Sequence, residues 1–396
     1  MQSLQARGIE FVAYVAWALA HWHVCHVQLL VIVMKNTVPL LASAAAAADA
    51  ISALVSNASV QPLNRRKAMG VLLAGAATAH QVQAQVLVPS TAGTANAAGA
   101  DTRFPRNRIV KIVVAYPPAG DTGILGQLIA ELLSVQWGSN VMVEYKPGAT
   151  GIIGTREVIA SAPDGHTLLV APNSVAIAPH LTPSYDVLKD LTPIAKLIDQ
   201  PIIAVVNSAS GITDLRTLVQ KAKAGALPGY ASPGHGSTMH IVGELFNQVA
   251  GMQLQEIPYK GTMPAITDLV GGQVPLMYTT LNPVQNFLKT GQLRAIGVIA
   301  PQRVPFLPQV PTFAESGYPQ VDISTWQALL GPANMPAALV QQINRSVNAA
   351  LQTPKAKALL QQWAMQPVTE SPQALKHTLE QDYARYGKLI SQLHIS

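Results

Sequence analysis

Three glycine-bearing loops hold the residues whose types and spacing could do chemistry: Gly120-Asp121-Thr122-Gly123, Gly148 to Gly151, and Gly234-His235-Gly236-Ser237. Each strips side-chain bulk from the backbone just before a stretch of helical periodicity, so main-chain N–H groups at a helix start could reach an anion. The same glycines also serve tight turns and helix caps, and for any single loop that reading is sufficient. Three such loops, spread over two halves of the chain, shift the balance toward a cleft that binds carboxylate. A helix dipole contributes only about 0.3–1 kcal/mol, whereas micromolar capture needs about 8 kcal/mol. Direct or water-bridged hydrogen bonds must supply the rest, with Thr122, Ser174, Ser232, Ser237 and Thr262 as donors.

Asp121 has two readings: it caps the helix that follows, or its carboxylate meets a ligand ammonium and discourages an extra ligand carboxylate. Tyr116 and Tyr259 either wall the pocket or pack at strand ends. His235 and His240 are five apart, beyond the one-turn spacing of a helical metal pair, so a cap or surface role is expected of each. Asp164 sits in a Pro-Asp-Gly turn that its side chain stabilises. The signatures of the common enzyme classes are missing from the sequence: there is no GxSxG elbow, HExxH helix, GxxxxGK[ST] loop or GxGxxG after a strand.

The elements that must position these residues alternate. Apolar runs at Ile109 to Ala115, Val141 to Tyr145 and Thr167 to Ala171 read as strands, separated by helical stretches at Thr122 to Trp137 and Ile152 to Ala160. The rhythm continues with strands at Ile202 to Val206, Gly229 to Ala231, Gln255 to Pro258, Val274 to Thr279 and Leu293 to Ile299. This predicts an α/β fold with mainly parallel sheets covered on both faces. After Trp326 the pattern turns helical, with starts near Pro336, Pro354 and Pro372.

Only 12% of the residues are charged, about half the usual share, which excludes a basic nucleic-acid arm. The net charge of +6 favours small anions without specifying one. Cys25 is the single cysteine, so no intramolecular disulfide can form. Arg65-Arg66-Lys67, an uncharged stretch to Ala79 and Val82-Gln83-Ala84 have the layout of a signal peptide over 61–84, cleaved after Ala84, with the arginine pair also resembling a twin-arginine signal. Residues 1–60 are then an upstream extension, in which Phe11 to Met34 is long enough to span a bilayer although His21, His23 and His26 suit lipid poorly. His21, His23 and Cys25 do not share a helical face, which argues against metal ligation. Residues 85–105 read as a flexible lead-in.

Several separate motifs then stand in one order: Ala162-Pro163-Asp164-Gly165-His166-Thr167-Leu168-Leu169, Tyr230 to Ser237, Val242 to Phe246, Pro258-Tyr259-Lys260-Gly261-Thr262 with Pro264 to Leu269, and Leu307 to Thr312. From about Arg108 to the C-terminus the sequence resembles the Bug, or TctC-like, extracytoplasmic solute receptors of tripartite tricarboxylate transporters. The resemblance implies a periplasmic-binding-protein fold (type II) with a cleft between two hinged α/β lobes. Lobe 1 is expected at 106–206 and 327–396, lobe 2 at 207–326, with crossovers near Val206 to Ser208 and Ser324 to Ala328. It also implies a periplasmic, monomeric protein that captures a small organic acid for membrane permease subunits, without cofactor, metal, nucleic acid or catalysis. A ligand-sensing subunit for a membrane receptor and an α/β hydrolase with an unmarked nucleophile are the alternatives.

The residues expected at the ligand are Tyr116, Ala119, Gly120, Asp121, Thr122, Asn173, Ser174, Ser232, Gly234, Gly236, Ser237, Tyr259, Thr262 and Thr279. The chain departs from the family's usual loops. Gly123 and Thr279 stand where aspartates are common, and Ile152 or Ile153 where an asparagine is frequent.

Overall fold

The β-branched run Val110–Val114 forms strand β1, and α1 (Asp121–Trp137) carries the chain to β2 (Val141–Tyr145), which lies parallel beside it. A second crossover, α2 (Ile152–Ile159), leads to β3 (Thr167–Pro172) on the other flank of β1, again parallel. Parallel neighbours cannot be joined by a hairpin, so each pair needs such a crossover. The short α3 (Ala178–Leu181) and the ten-residue β4 (Leu191–Gln200) complete the first pass. The computed structural model describes Phe104, Pro105 and residues 108–395. The signal layout at 61–84, the extension at 1–60 and most of the lead-in lie outside the described residues. Among the described residues, no helix is long and apolar enough to cross a membrane.

Beyond Pro201 the chain builds a second sheet. Its elements are β5 (Ile202–Asn207), α4 (Leu215–Lys223), β6 (Gly229–Ser232), α5 (Thr238–Ala250), β7 (Gln255–Pro258), α6 (Thr262–Val270), β8 (Leu276–Thr279), α7 (Gln285–Lys289) and β9 (Leu293–Ile299). The chain then returns as β10 (Thr325–Pro332), α8 (Ala337–Leu351), α9 (Pro354–Gln362), β11 (Gln366–Pro367) and α10 (Pro372–Leu393). Strand order is β11-β4-β10-β3-β1-β2 in the first sheet and β7-β6-β8-β5-β9 in the second. The fold is therefore the expected two-lobed α/β class.

Side-chain alternation along β1 splits the first core in two. Val110, Ile112 and Val114 pack with Leu125, Ile129 and Leu133 of α1, while Val113 faces the opposite side with Leu375 and Tyr386 of α10. Ile112 and Leu168 have no exposed surface, and burying each contributes about 1.5–3 kcal/mol.

Three expectations are corrected. The sheets are mixed rather than mainly parallel: β10 runs antiparallel to β3 and β4, and β5 antiparallel to β8 and β9. The strands that enter and leave by the two crossings arrive against the local direction. The first crossing also lies earlier than expected, at Pro201, because residues 202–206 pair within the second sheet as part of β5. Finally, β10 occupies Thr325–Pro332, where helix was expected to begin. Every residue of β10 is buried, so it lacks the alternation that marks a half-exposed strand.

Candidate functional site

The strand ends of both sheets face a cavity of about 120 Å³, room for on the order of ten waters or a small organic molecule. Three helices begin at its wall: α1 with Gly120, Asp121 and Thr122, α5 with Ser237, Thr238 and Met239, and α6 with Gly261, Thr262 and Met263. The first amides of a helix have no intrahelical acceptor. The N–H groups of Asp121, Thr122, Thr238, Met239, Thr262 and Met263 find none among the described residues either. Free donors with the positive ends of three dipoles thus converge from both lobes. Ala119 completes the α1 side of the wall, and the exposed Lys260 stands at its edge.

The α1 loop is held by close packing. A Cβ on Gly123 would lie 2.1 Å from the Pro118 carbonyl oxygen, so this backbone accepts no side chain there without shifting. Tyr116 fixes the loop's other end: its Oη donates to the Thr150 carbonyl oxygen at 2.9 Å and lies 2.5 Å from Ser174 Oγ. A phenol has one proton, so with that proton on Thr150 the second bond is donated by Ser174. Ser174 therefore turns an acceptor rather than a donor toward the cavity, which corrects its expected role. Burial pushes the Tyr116 phenol up to about 12, against the opposing effect of the Ser174 bond.

Asp121 is the half-buried carboxylate of the wall. Gln200 Nε2 (2.9 Å) and Thr280 Oγ1 (2.5 Å) donate to its Oδ2, and Asn282 Nδ2 (2.9 Å) donates to its Oδ1. Gln200 ends β4 in the first lobe, whereas Thr280 and Asn282 follow β8 in the second, so one carboxylate ties the lobes. Desolvation raises its pKa above the ordinary aspartate value, and the bonds from Thr280, Asn282 and Gln200 oppose that rise. Part of Asp121 remains accessible, on the side that opens to the cavity.

Asn173, expected at the ligand, is fully buried and committed elsewhere. Its Oδ1 accepts from Thr238 Oγ1 and Thr325 Oγ1, both at 2.8 Å, and its Nδ2 donates to Tyr386 Oη at 2.7 Å and the Ser324 carbonyl oxygen at 3.1 Å. It props two threonines of the wall from behind. Ser232 is likewise buried and spent: it donates to Glu256 Oε1 at 2.5 Å and accepts from Gly234 N. The Gly236 amide donates to His240 Nδ1 at 3.1 Å.

Gly234 and Tyr259 line a second, outer cavity of about 650 Å³ that shares Tyr116, Pro117, Pro233, Lys260 and Gly261 with the first. Tyr259 Oη is occupied by Asp268. Thr279 is buried in β8, and its neighbour Thr280 reaches the cavity instead. Of the fourteen expected residues, the inner wall thus holds Tyr116, Ala119, Gly120, Asp121, Thr122, Ser174, Ser237 and Thr262. Gln200, Thr280, Thr325 and Gln327 were not anticipated. Gln200, Thr325 and Gln327 lie on β4 and β10, strands that the sequence pattern did not mark.

His235, His240 and Glu256 place their ligating atoms within 4.8 Å of one another. The histidines' spacing hid this because the carboxylate comes from the adjacent strand β7. Gly236 N–H occupies the lone pair of His240 Nδ1, which puts the neutral ring's proton on Nε2, the atom 3.4 Å from Glu256 Oε2. His235 Nδ1 meets the same oxygen at 2.8 Å. As arranged, His240 Nδ1 and His235 Nδ1 are each engaged in a hydrogen bond, to the Gly236 amide and to Glu256 respectively. Burial, and next the His235 ring, lower the His240 pKa to about 4.

Comparison with known proteins gives a consistent picture. The family described as "Tripartite tricarboxylate transporter family receptor" matches residues 125–395. Protein BugT of Bordetella pertussis is 34% identical over 313 residues, 76% of this chain and 94% of BugT. A Rhodopseudomonas palustris protein solved with adipate superposes with a TM-score of 0.70 at 28% identity, covering 74% of this chain and 99% of its own. MatC from Rhodopseudomonas palustris, solved with bound malate, gives 0.68 at 27% identity, covering 72% and 100%.

Proposed function

Because the chain belongs to the tripartite tricarboxylate transporter family of receptors, we propose that it is a periplasmic solute-binding protein. It captures a small organic carboxylate between its lobes and presents the closed form to membrane permease subunits, with no covalent chemistry. The convergence of three helix starts on one small cavity carries this reading. Their dipoles together contribute about 1–3 kcal/mol. A carboxylate has about four acceptor positions, so at most four of the six free amides bond it at once, and charge-assisted hydrogen bonds at about 1.5–3 kcal/mol each supply the remainder of a micromolar affinity. Ser237 adds to them: its Oγ accepts from His240 N as the α5 cap and keeps its own proton to donate. Carboxylate binding by the adipate and malate relatives supports the ligand class.

A melting-temperature screen of mono-, di- and tricarboxylates tests this reading, since a ligand that binds only the folded state raises the transition. At least one acid is expected to do so and to lose affinity in Lys260→Met. Silence across the whole set would count against it. Export with cleavage after Ala84 belongs to the same proposal. N-terminal sequencing of the exported chain is expected to begin at Gln85, and a chain that keeps residues 11–34 would refute the cleavage.

A further inference from the structure

Gln200, Thr280 and Asn282 form a carboxylate-binding set inside the cleft, and the carboxylate they hold is the chain's own. Gln200 and Thr280 are at least nine-tenths buried, at 3% and 5% exposure, and their donor atoms reach Asp121 at 2.9 and 2.5 Å. Asn282 reaches its other oxygen at 2.9 Å. A carboxylate has about four lone-pair positions. The three donors occupy two on Oδ2 and one on Oδ1, which leaves one acceptor position on a residue that lines the cavity.

We propose that Asp121 sets the specificity of the cleft. The ligand directs a single carboxylate to the helix starts and Lys260, and at its other end offers Asp121 a hydrogen-bond donor, a hydroxyl or an ammonium. This inference rests on the receptor reading above and narrows its ligand class. A second ligand carboxylate would meet the free acceptor position of Asp121 with lone pairs of its own, and the three donors that could have received it are already engaged. The selectivity belongs to the ionised side chain, which the three donors favour, because a protonated carboxyl would carry an O–H able to meet a second carboxylate.

The test is calorimetric titration of the wild-type chain and of Asp121→Ser with matched C4 to C6 ligands. These are succinate, glutarate and adipate against the ω-hydroxy and ω-amino monocarboxylates of the same length. The wild type is expected to favour a monocarboxylate over its matched dicarboxylate by at least about tenfold, or 1.4 kcal/mol. Asp121→Ser frees the donor set, so the ratio is expected to fall by about tenfold or to invert. Asp121→Asn, which keeps the shape and removes the charge, moves the ratio the same way and serves if the serine variant does not fold. A wild type that prefers dicarboxylates, or a folded variant with an unchanged ratio, overturns the inference and leaves the receptor reading standing. Failure of every form to bind any carboxylate overturns both.

Discussion

Thr150 Oγ1 donates to the carbonyl oxygen of His235 at 2.6 Å, a bond from the first lobe to the second. Thr150 is held at φ 50°, a left-handed conformation that a β-branched residue enters only at a cost. Tyr116 grips its carbonyl oxygen from below. The strain thus sits where the α1 loop, the second glycine loop and the α5 loop meet, fixed by one bond within the first lobe and one that crosses to the second.

Thr150→Val keeps the branched backbone preference and removes only the inter-lobe bond. A bond of this kind contributes about 0.5–1.5 kcal/mol, so ligand affinity is expected to fall about two- to tenfold. Melting of the ligand-free protein should move far less than affinity. Calorimetric titration beside thermal unfolding separates the two, and an unchanged affinity would show that the bond does not contribute to closure.

Asn173→Ala strips partners from Thr238, Thr325 and Tyr386 at once, inside a site with no exposed surface. Each unsatisfied buried polar group costs about 1–3 kcal/mol. A loss of about 3 kcal/mol or more is expected, read as a lower denaturation midpoint with an unchanged denaturant slope. Because Asn173 props the wall from behind, ligand affinity should fall as well, although the side chain does not line the inner cavity.

Acid should destabilise the protein through His240. Its pKa is lowered from 6.5 to about 4 by burial and by His235, so between those values the unfolded chain holds a proton that the folded chain does not. The neutral histidine's contribution is complete above pH 6.5 and is lost as pH falls through the window, at most about 3 kcal/mol. In His240→Asn, Oδ1 can take the place of Nδ1 for the Gly236 amide while the titration is gone. Denaturant unfolding of both forms from pH 7.5 to 4 should show a difference that shrinks with acidification, and a constant difference would refute the assignment.

Gly123→Ala forces a Cβ to within 2.1 Å of the Pro118 carbonyl oxygen. Alanine normally gains up to about 1 kcal/mol over glycine in a helix. Here overpacking of about 1–3 kcal/mol is expected to win. The displaced α1 start should weaken carboxylate binding together with stability. A variant more stable than the wild type would show that the loop has another low-energy path.

The sequence alone determined the α/β class, most strands of the second lobe and the glycine loops that begin α1, α2 and α5, because these depend on local patterns: apolar runs, glycine before a helix, proline at a helix start. Pro336 caps α8, while Pro354 and Pro372 open α9 and α10, as their fixed φ dictates. Only the tertiary structure decided which residues meet in the cleft. Gln200, Thr325 and Gln327 ride on β4 and β10; β10 is buried along its whole length, which erases the alternation that reveals a strand, and β4 is buried irregularly rather than at every second residue. Thr280 and Asn282 gain their role solely by facing Asp121 about 160 positions away in the chain. Asn173 and Ser232 lost theirs for the converse reason: spacing placed each beside the right loop, but neighbours distant in sequence had already taken their hydrogen-bonding capacity.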